Sequence, residues 1–151
     1  MKAVLQCCRS GSVAVDGVHR ASVGRGMVIL LGVTTADTEA EARFLAEKCA
    51  ALRVFEDDGG KLNRSLLDIG GGALVVSNFT LCADAGHGRR PSYIGAARPE
   101  AAEPLYRCFV EALRRAGADP VETGVFGANM TVDISNSGPV TLVLDTDQLM
   151  K

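Results

Sequence analysis

The chain lacks most of the side chains that usually announce a catalyst. It carries only two histidines, His19 and His87, too few for a histidine-rich metal site. There is no H-E-x-x-H and no C-x-x-C pair, so the usual zinc spacings are absent. Gly24-Arg25-Gly26 and Gly70-Gly71-Gly72 are glycine-rich, but neither leads into a helix and no G-K-S/T follows, which argues against a phosphate loop. No G-x-S-x-G elbow supports a serine triad. Ser77, Thr80, Ser92 and the cysteines are possible nucleophiles, but their base would have to be His19 or His87. His87 follows Asp84 in a glycine-flanked loop, where a solvated loop histidine is the simpler reading. Scattered carboxylates such as Asp84 and Asp133 read as solvated or hydrogen-bonded rather than as metal ligands.

Other absences bound the class. No apolar run approaches the roughly 18–20 residues of a membrane span; the longest, Met27 to Val33, is strand-sized. The N-terminus enters a strand directly, without the long apolar region of a signal peptide, so a cytoplasmic location is the expectation. The five cysteines (Cys7, Cys8, Cys49, Cys82 and Cys108) are odd in number, and only the first two are close together, so no disulfide framework is expected. Cys49 and Cys108 fall on apolar helix faces and read as core filler. The net charge is −2 with no basic block, against a protein that coats duplex nucleic acid. This leaves room for binding the tip of an RNA, and Arg89-Arg90 is the one basic pair in a loop.

What is present is a single-domain chain of 151 residues, 47% of them hydrophobic, enough for a substantial core. Ala3–Arg9 and Ser12–Val15 read as strands. Asp16-Gly17 is a two-residue hairpin signal, with Val18–Val23 as the return strand. Met27–Val33 suits a strand buried on both faces. Thr38 and Glu41 form a capping box for a helix over Glu39–Leu52, whose stripe is Leu45, Cys49 and Leu52. Short extended pieces follow at Arg53–Glu56 and Ser65–Ile69, then a strand at Ala73–Leu81 and a long loop over residues 82–97. A second helix runs from Pro99 to about Ala116, with acids early, Arg114 and Arg115 late, and Gly117 as its stop. Strands at Val121–Thr123, Met130–Ser135 and Val140–Leu144 complete an α/β chain with mainly antiparallel pairing and no regular βαβ repeat.

Two segments carry more chemistry than the rest: Ser77-Asn78-Phe79-Thr80-Leu81 and Asn136-Ser137-Gly138-Pro139-Val140-Thr141. Each joins a strand-like apolar run to small polar residues. Proline lowers the cost of a cis peptide bond to about 0.5–1 kcal/mol, and glycine leaves the backbone unshielded. A Gly138-Pro139 corner can therefore present bare carbonyl oxygens to a site; a simple turn between strands is the bland alternative. With no side-chain catalyst in evidence, a site that works by shape and backbone groups becomes attractive. Orientation alone can contribute several kcal/mol to a barrier, and backbone amides can stabilise an oxyanion.

The two segments resemble the Ser-Gln-Phe-Thr and Asn-x-Gly-Pro-Val-Thr motifs of the D-aminoacyl-tRNA deacylases. Gly26–Val33, Arg53-Val54-Phe55-Glu56, Gly60-Lys61-Leu62-Asn63, Arg90-Pro91-Ser92-Tyr93 and Glu103-Pro104-Leu105-Tyr106 are similar too, so the likeness spans the chain. The resemblance implies one deacylase-like domain over residues 1–151, an α/β fold with a mainly antiparallel sheet or partly closed barrel and two packed helices. It implies an ester hydrolase that releases D-amino acid from the 3′ end of tRNA, and accepts achiral glycine on tRNA. It implies a homodimer whose cis Gly138-Pro139 corner enters the partner's site and rejects L-side chains. The reaction would use the ribose 2′-hydroxyl, with no cofactor, metal or membrane. Thr80, Ser77, Asn78 and Phe79 would then be the catalytic positions, and Gly138, Pro139, Asn136, Val140, Met130 and Tyr93 the substrate-binding ones. Three departures stand out. Asn78 replaces the usual Gln, Cys7 stands where an Arg usually braces the Gly-Pro segment, and Val125 and Asn129 replace Arg and Asp. A small-ester hydrolase with Thr80 or Ser77 as nucleophile, and a non-catalytic RNA-end binder, are the competing readings.

Overall fold

β1 (Lys2–Val15) turns back into β2 (Val18–Val23) through Asp16-Gly17, whose φ angles of 51° and 75° are those of the tight hairpin that this dipeptide favours. A computed structural model describes residues 1–151. The chain continues through β3 (Gly26–Gly32), α1 (Glu39–Ala51), β4 (Phe55–Glu56), β5 (Leu62–Arg64) and β6 (Gly72–Ser77). A 3-10 turn (Phe79–Cys82), α2 (Pro99–Arg115), β7 (Val121–Thr123), β8 (Met130–Asp145) and α3 (Thr146–Leu149) complete it. α1 starts as its sequence dictates: Thr38 accepts from the Ala40 amide, and Glu41 accepts from the Thr38 amide at 2.7 Å.

The main sheet has the order β2-β1-β3-β6-β7, with β8 on the other edge of β1. β1 pairs antiparallel with β2, β3 and β8. β2 also packs toward β6 and β7, so the sheet is nearly closed like a barrel. The α/β class and the mainly antiparallel sheet hold. β3–β6 and β6–β7 are nevertheless parallel, each joined by a crossover that contains a helix. The βαβ units were hidden in the sequence because the first crossover also holds β4, β5 and the turn at residues 65–71.

Strand alternation divides the interior. Leu5, Cys7, Ile29 and Val75 face α1 and α2, whose buried side chains include Leu45, Cys49, Phe109 and Leu113. Cys8, Val28, Leu74 and Val76 face the other way, with Met130, Val132 and Ile134 of β8 packed half-buried against them. Tyr106 locks α2 to the sheet by donating to the Val75 carbonyl at 2.7 Å. All five cysteines are free.

Several boundaries differ from the sequence reading. Ala3–Arg9 and Ser12–Val15 form one strand, because β8 pairs along nearly its full length. Leu62–Arg64 is a strand, whereas Ser65–Ile69 is a turn: the Ser65 amide donates to Asp68 at 2.8 Å, and the Asp68 amide donates to Ser65 Oγ at 3.1 Å. Such reciprocal local bonds outcompete an extended chain. β6 ends at Ser77, not Leu81, and β8 runs unbroken where two strands were expected. A third helix, α3, was missed. Its first residue is held by Met1, whose carbonyl accepts from the Thr146 amide at 2.9 Å, while the buried Met1 ammonium pairs with Asp37 and donates to Thr146.

Candidate active site

The first motif begins where β6 stops. The Asn78 amide donates to the Leu31 carbonyl at 2.8 Å, and the chain then coils into the 3-10 turn. That turn lies directly on β3. A Cβ on Gly32 would sit 3.0 Å from Asn78 O and from Leu81 Cβ, so glycine is what permits the approach. The close turn throws Phe79 outward, 59% exposed, where its ring meets Tyr93 edge-on at 5.2 Å.

A cavity of about 800 Å³ opens beside it. Its walls come from the carboxyl ends of the parallel strands (Leu30, Leu31 and Val33 after or within β3; Val76 and Ser77 of β6), the place where ligands bind in parallel sheets. Asn78, Phe79 and Tyr93 form one side, the start of α2 another, and Met130, Val132 and Ile134 of β8 a third. Of the residues singled out in the sequence, Ser77, Asn78, Phe79, Tyr93 and Met130 all line this one cavity. Thr80 stands just outside: its hydroxyl donates to Asn78 Oδ1, so it touches the cavity through that amide. Phe126, Arg98, Val132 and Ile134 also line the cavity and were missed as site residues. The period-two apolar pattern Met130-Val132-Ile134 was visible; Phe126 gave only an aromatic in a glycine-rich stretch.

The second motif is built differently. On β8, Asn136 pairs in register with Cys8 and Thr141 with Gln6, so Ser137–Val140 bulges out opposite Cys7 alone. The bulge is braced from within. Asn136 Nδ2 donates to the Cys7 carbonyl at 2.9 Å and to the Val140 carbonyl at 3.1 Å. Gly138 has a φ of 115°, and a Cβ there would lie 2.7 Å from Val140 N. The Gly138-Pro139 bond is cis and both residues are exposed. None of Asn136, Gly138, Pro139 and Val140 lines the cavity of their own chain. Within a single chain the two motifs lie apart, and the sequence reading had joined them only across a dimer, with the corner entering the partner's site.

The buried thiols Cys7 and Cys49 are poor nucleophiles. Burial, with a smaller contribution from Cys8, pushes Cys7 up to about 11, and burial alone pushes Cys49 up to about 12. The Cys7 thiol donates to the Val54 carbonyl at 3.4 Å. No group of three or more His, Cys, Asp or Glu side chains is placed to hold a metal ion. No helix is long and apolar enough to cross a membrane. What the cavity offers is a mainly apolar shape, the Asn78 amide, the Ser77 and Tyr93 hydroxyls, the Arg98 guanidinium at its rim and backbone groups.

Comparison with known proteins places this geometry. The family model described as D-Tyr-tRNA(Tyr) deacylase matches residues 4–145. Proteins named D-aminoacyl-tRNA deacylase from Thermomicrobium roseum and Thermus aquaticus are 55% and 53% identical. Those alignments cover 99% and 98% of this chain and 96% and 97% of the relatives. A solved structure described as a c-Myc DNA unwinding element binding protein superposes with a TM-score of 0.91 at 40% identity, covering 96% of this chain and 98% of that one. A probable eukaryotic D-amino acid tRNA deacylase shares the fold at 19% identity with a TM-score of 0.78, covering 95% and 97%.

Proposed function

The chain belongs to the D-Tyr-tRNA(Tyr) deacylase family, and from that membership we propose that it is a hydrolase of the ester bond in D-aminoacyl-tRNA, releasing free D-amino acid and tRNA. The observation that carries the reading is the convergence of Ser77, Asn78 and Phe79 on one cavity in a chain that matches the family over residues 4–145. The terminal adenosine stacks on the exposed Phe79–Tyr93 pair, and the aminoacyl ester lies near Asn78 and the Thr80 hydroxyl. With no base positioned on Ser77 or Thr80, the ribose 2′-hydroxyl assists the attack of water. Positioning then supplies the main catalytic effect.

The finer features follow from the second motif. Two copies of the chain form a homodimer in which each exposed Gly138-Pro139 corner enters the other's cavity. Its carbonyl oxygens crowd the side chain of an L-amino acid and admit the D-isomer; glycine, having no side chain to reject, is hydrolysed as well. Asn136 and Val140 hold the corner, and Met130 contributes to the wall it meets. The enzyme acts in the cytoplasm as one domain over residues 1–151.

The small-ester alternative finds no support in the hydroxyl geometry, since Thr80 Oγ1 donates to an amide oxygen rather than to a base. The deciding experiment is deacylation of matched D- and L-tyrosyl-tRNA. Hydrolysis of the D-form with the L-form largely spared is expected; comparable rates would sink selection by exclusion, and no hydrolysis of either would sink the deacylase reading.

A further inference from the structure

We propose that the exposed pair Arg89-Arg90 clamps backbone phosphates of the tRNA acceptor strand just inside its 3′-terminal nucleotide. This rests on the deacylase reading and adds where the rest of the RNA lies. The exposed pair sits on the returning leg of a loop pinched shut at its base, where Asp84 and Ser92 exchange two backbone hydrogen bonds, each 2.8 Å. Tyr93, the next residue, is on the cavity wall against Phe79. An extended chain spans at most about 3.3–3.6 Å per residue, so the Arg90 Cα lies within about 11 Å of that of Tyr93. Nucleic acid carries one phosphate per about 3.4 Å along a stacked strand, so the phosphates next to a terminal nucleotide held at Phe79 and Tyr93 fall within reach of the loop.

Charge selects the partner. Arg89 and Arg90 form no ion pair, as is true also of Arg9, Arg20, Arg25, Arg53 and Arg115, but they alone are two unpaired arginines adjacent in sequence, and they lie within three or four residues of Tyr93 on the cavity wall. The one acid at the loop base, Asp84, spends Oδ1 on the Gly86 amide at 2.8 Å. The cavity is lined mainly by hydrophobic residues and suits a base, a ribose and a small side chain rather than phosphates, which must stay outside it. A chain of net charge −2 supplies no general attraction for a polyanion, so local cations have to supply it. Guanidinium groups match phosphate oxygens in a bidentate geometry that ammonium groups lack.

The test compares D-tyrosyl-tRNA with its truncated counterpart, the D-tyrosyl ester of adenosine, across a salt series. R89A/R90A is expected to raise KM for the tRNA severalfold with kcat unchanged. It should also flatten the dependence of log kcat/KM on log salt by about 1.4–1.8, the share of two phosphates. Its rate on the adenosine ester should equal wild type, and R89K/R90K should keep most of the salt slope. Unchanged KM and slope on tRNA in R89A/R90A, with wild type active, would overturn the assignment while leaving the deacylase reading intact. An equal loss on the adenosine ester would also overturn it, showing that the loop shapes the cavity instead. Wild type inactive on both substrates would remove the deacylase reading and this inference with it.

Discussion

The side-chain amide of Asn136 donates to the carbonyl oxygen of Cys7 at 2.9 Å, closing the gap where the β1–β8 ladder is interrupted. A second bond from the same nitrogen reaches Val140 O, so one side chain ties both feet of the Gly138-Pro139 bulge to the sheet. The brace acts through the backbone of residue 7, so the cysteine side chain there is free to point into the core. The bond thus ties the Gly138-Pro139 bulge to β1 without any contribution from the residue 7 side chain.

Asn136→Ala should therefore loosen the corner without unfolding the protein. Losing two partly buried hydrogen bonds costs about 1–3 kcal/mol, readable as a lower urea midpoint. The ratio of D- to L-tyrosyl-tRNA hydrolysis should fall. A destabilised variant with an unchanged ratio would mean that Asn136 serves stability alone.

Thr80→Val keeps the volume and removes the donor to Asn78 Oδ1, so turnover should drop while the melting temperature stays near wild type. Thr80→Ser should retain most of the activity. Mass spectrometry during turnover should find no acyl group on residue 80; a covalent adduct there would establish a nucleophile.

A shared site predicts complementation between two impaired chains. Thr80→Val damages a chain's own cavity. Gly138→Ala displaces the corner that it lends to its partner, since alanine is strained at a φ of 115°. Mixed dimers hold one site free of both changes, so combining the two proteins under exchange conditions should restore activity. No recovery in demonstrated heterodimers, or full activity of a monomer in sedimentation, would rule out the shared site.

An RNA-assisted reaction predicts that tRNA ending in 2′-deoxyadenosine is a poor substrate. The double change His19→Ala, His87→Ala should leave most hydrolysis of normal substrate intact. Fast turnover of the deoxy substrate would point to a protein group as the assistant.

Alkaline stability should follow the buried thiols. Cys7 and Cys49 are held at about 11 and about 12 when folded, against about 8.5 for a free thiol. Above pH 9 the unfolded chain releases protons that the folded chain keeps, so unfolding becomes easier as pH rises toward 11–12. Below about pH 8 these groups contribute no slope. Cys49→Ala should flatten the fall in the urea midpoint between pH 9 and 11; an unchanged slope would assign it to other groups.

Much of this protein was legible locally. The Thr38–Glu41 box set the start of α1, Asp16-Gly17 set the first hairpin, and Pro99 with Gly117 bracketed α2, because each signal acts within a turn or two of chain. The two motifs named the family for the same reason: they are short and contiguous. Ser65–Ile69 was misjudged because its turn depends on side-chain bonds to the backbone that extended-strand propensity ignores. The tertiary structure decided what lies far apart in sequence. α3 forms against Met1, 145 residues away, and Asn136 reaches Cys7 across 129. Parallel pairing of β3, β6 and β7 put Leu30, Val76 and Phe126 around one cavity, while the pairing of β8 with β1 set the exposed Gly138-Pro139 corner outside it. Sequence fixes short-range hydrogen bonding and periodicity; which faces meet, and which way a bulge points, is settled only when the sheet closes and every strand competes for the same partners.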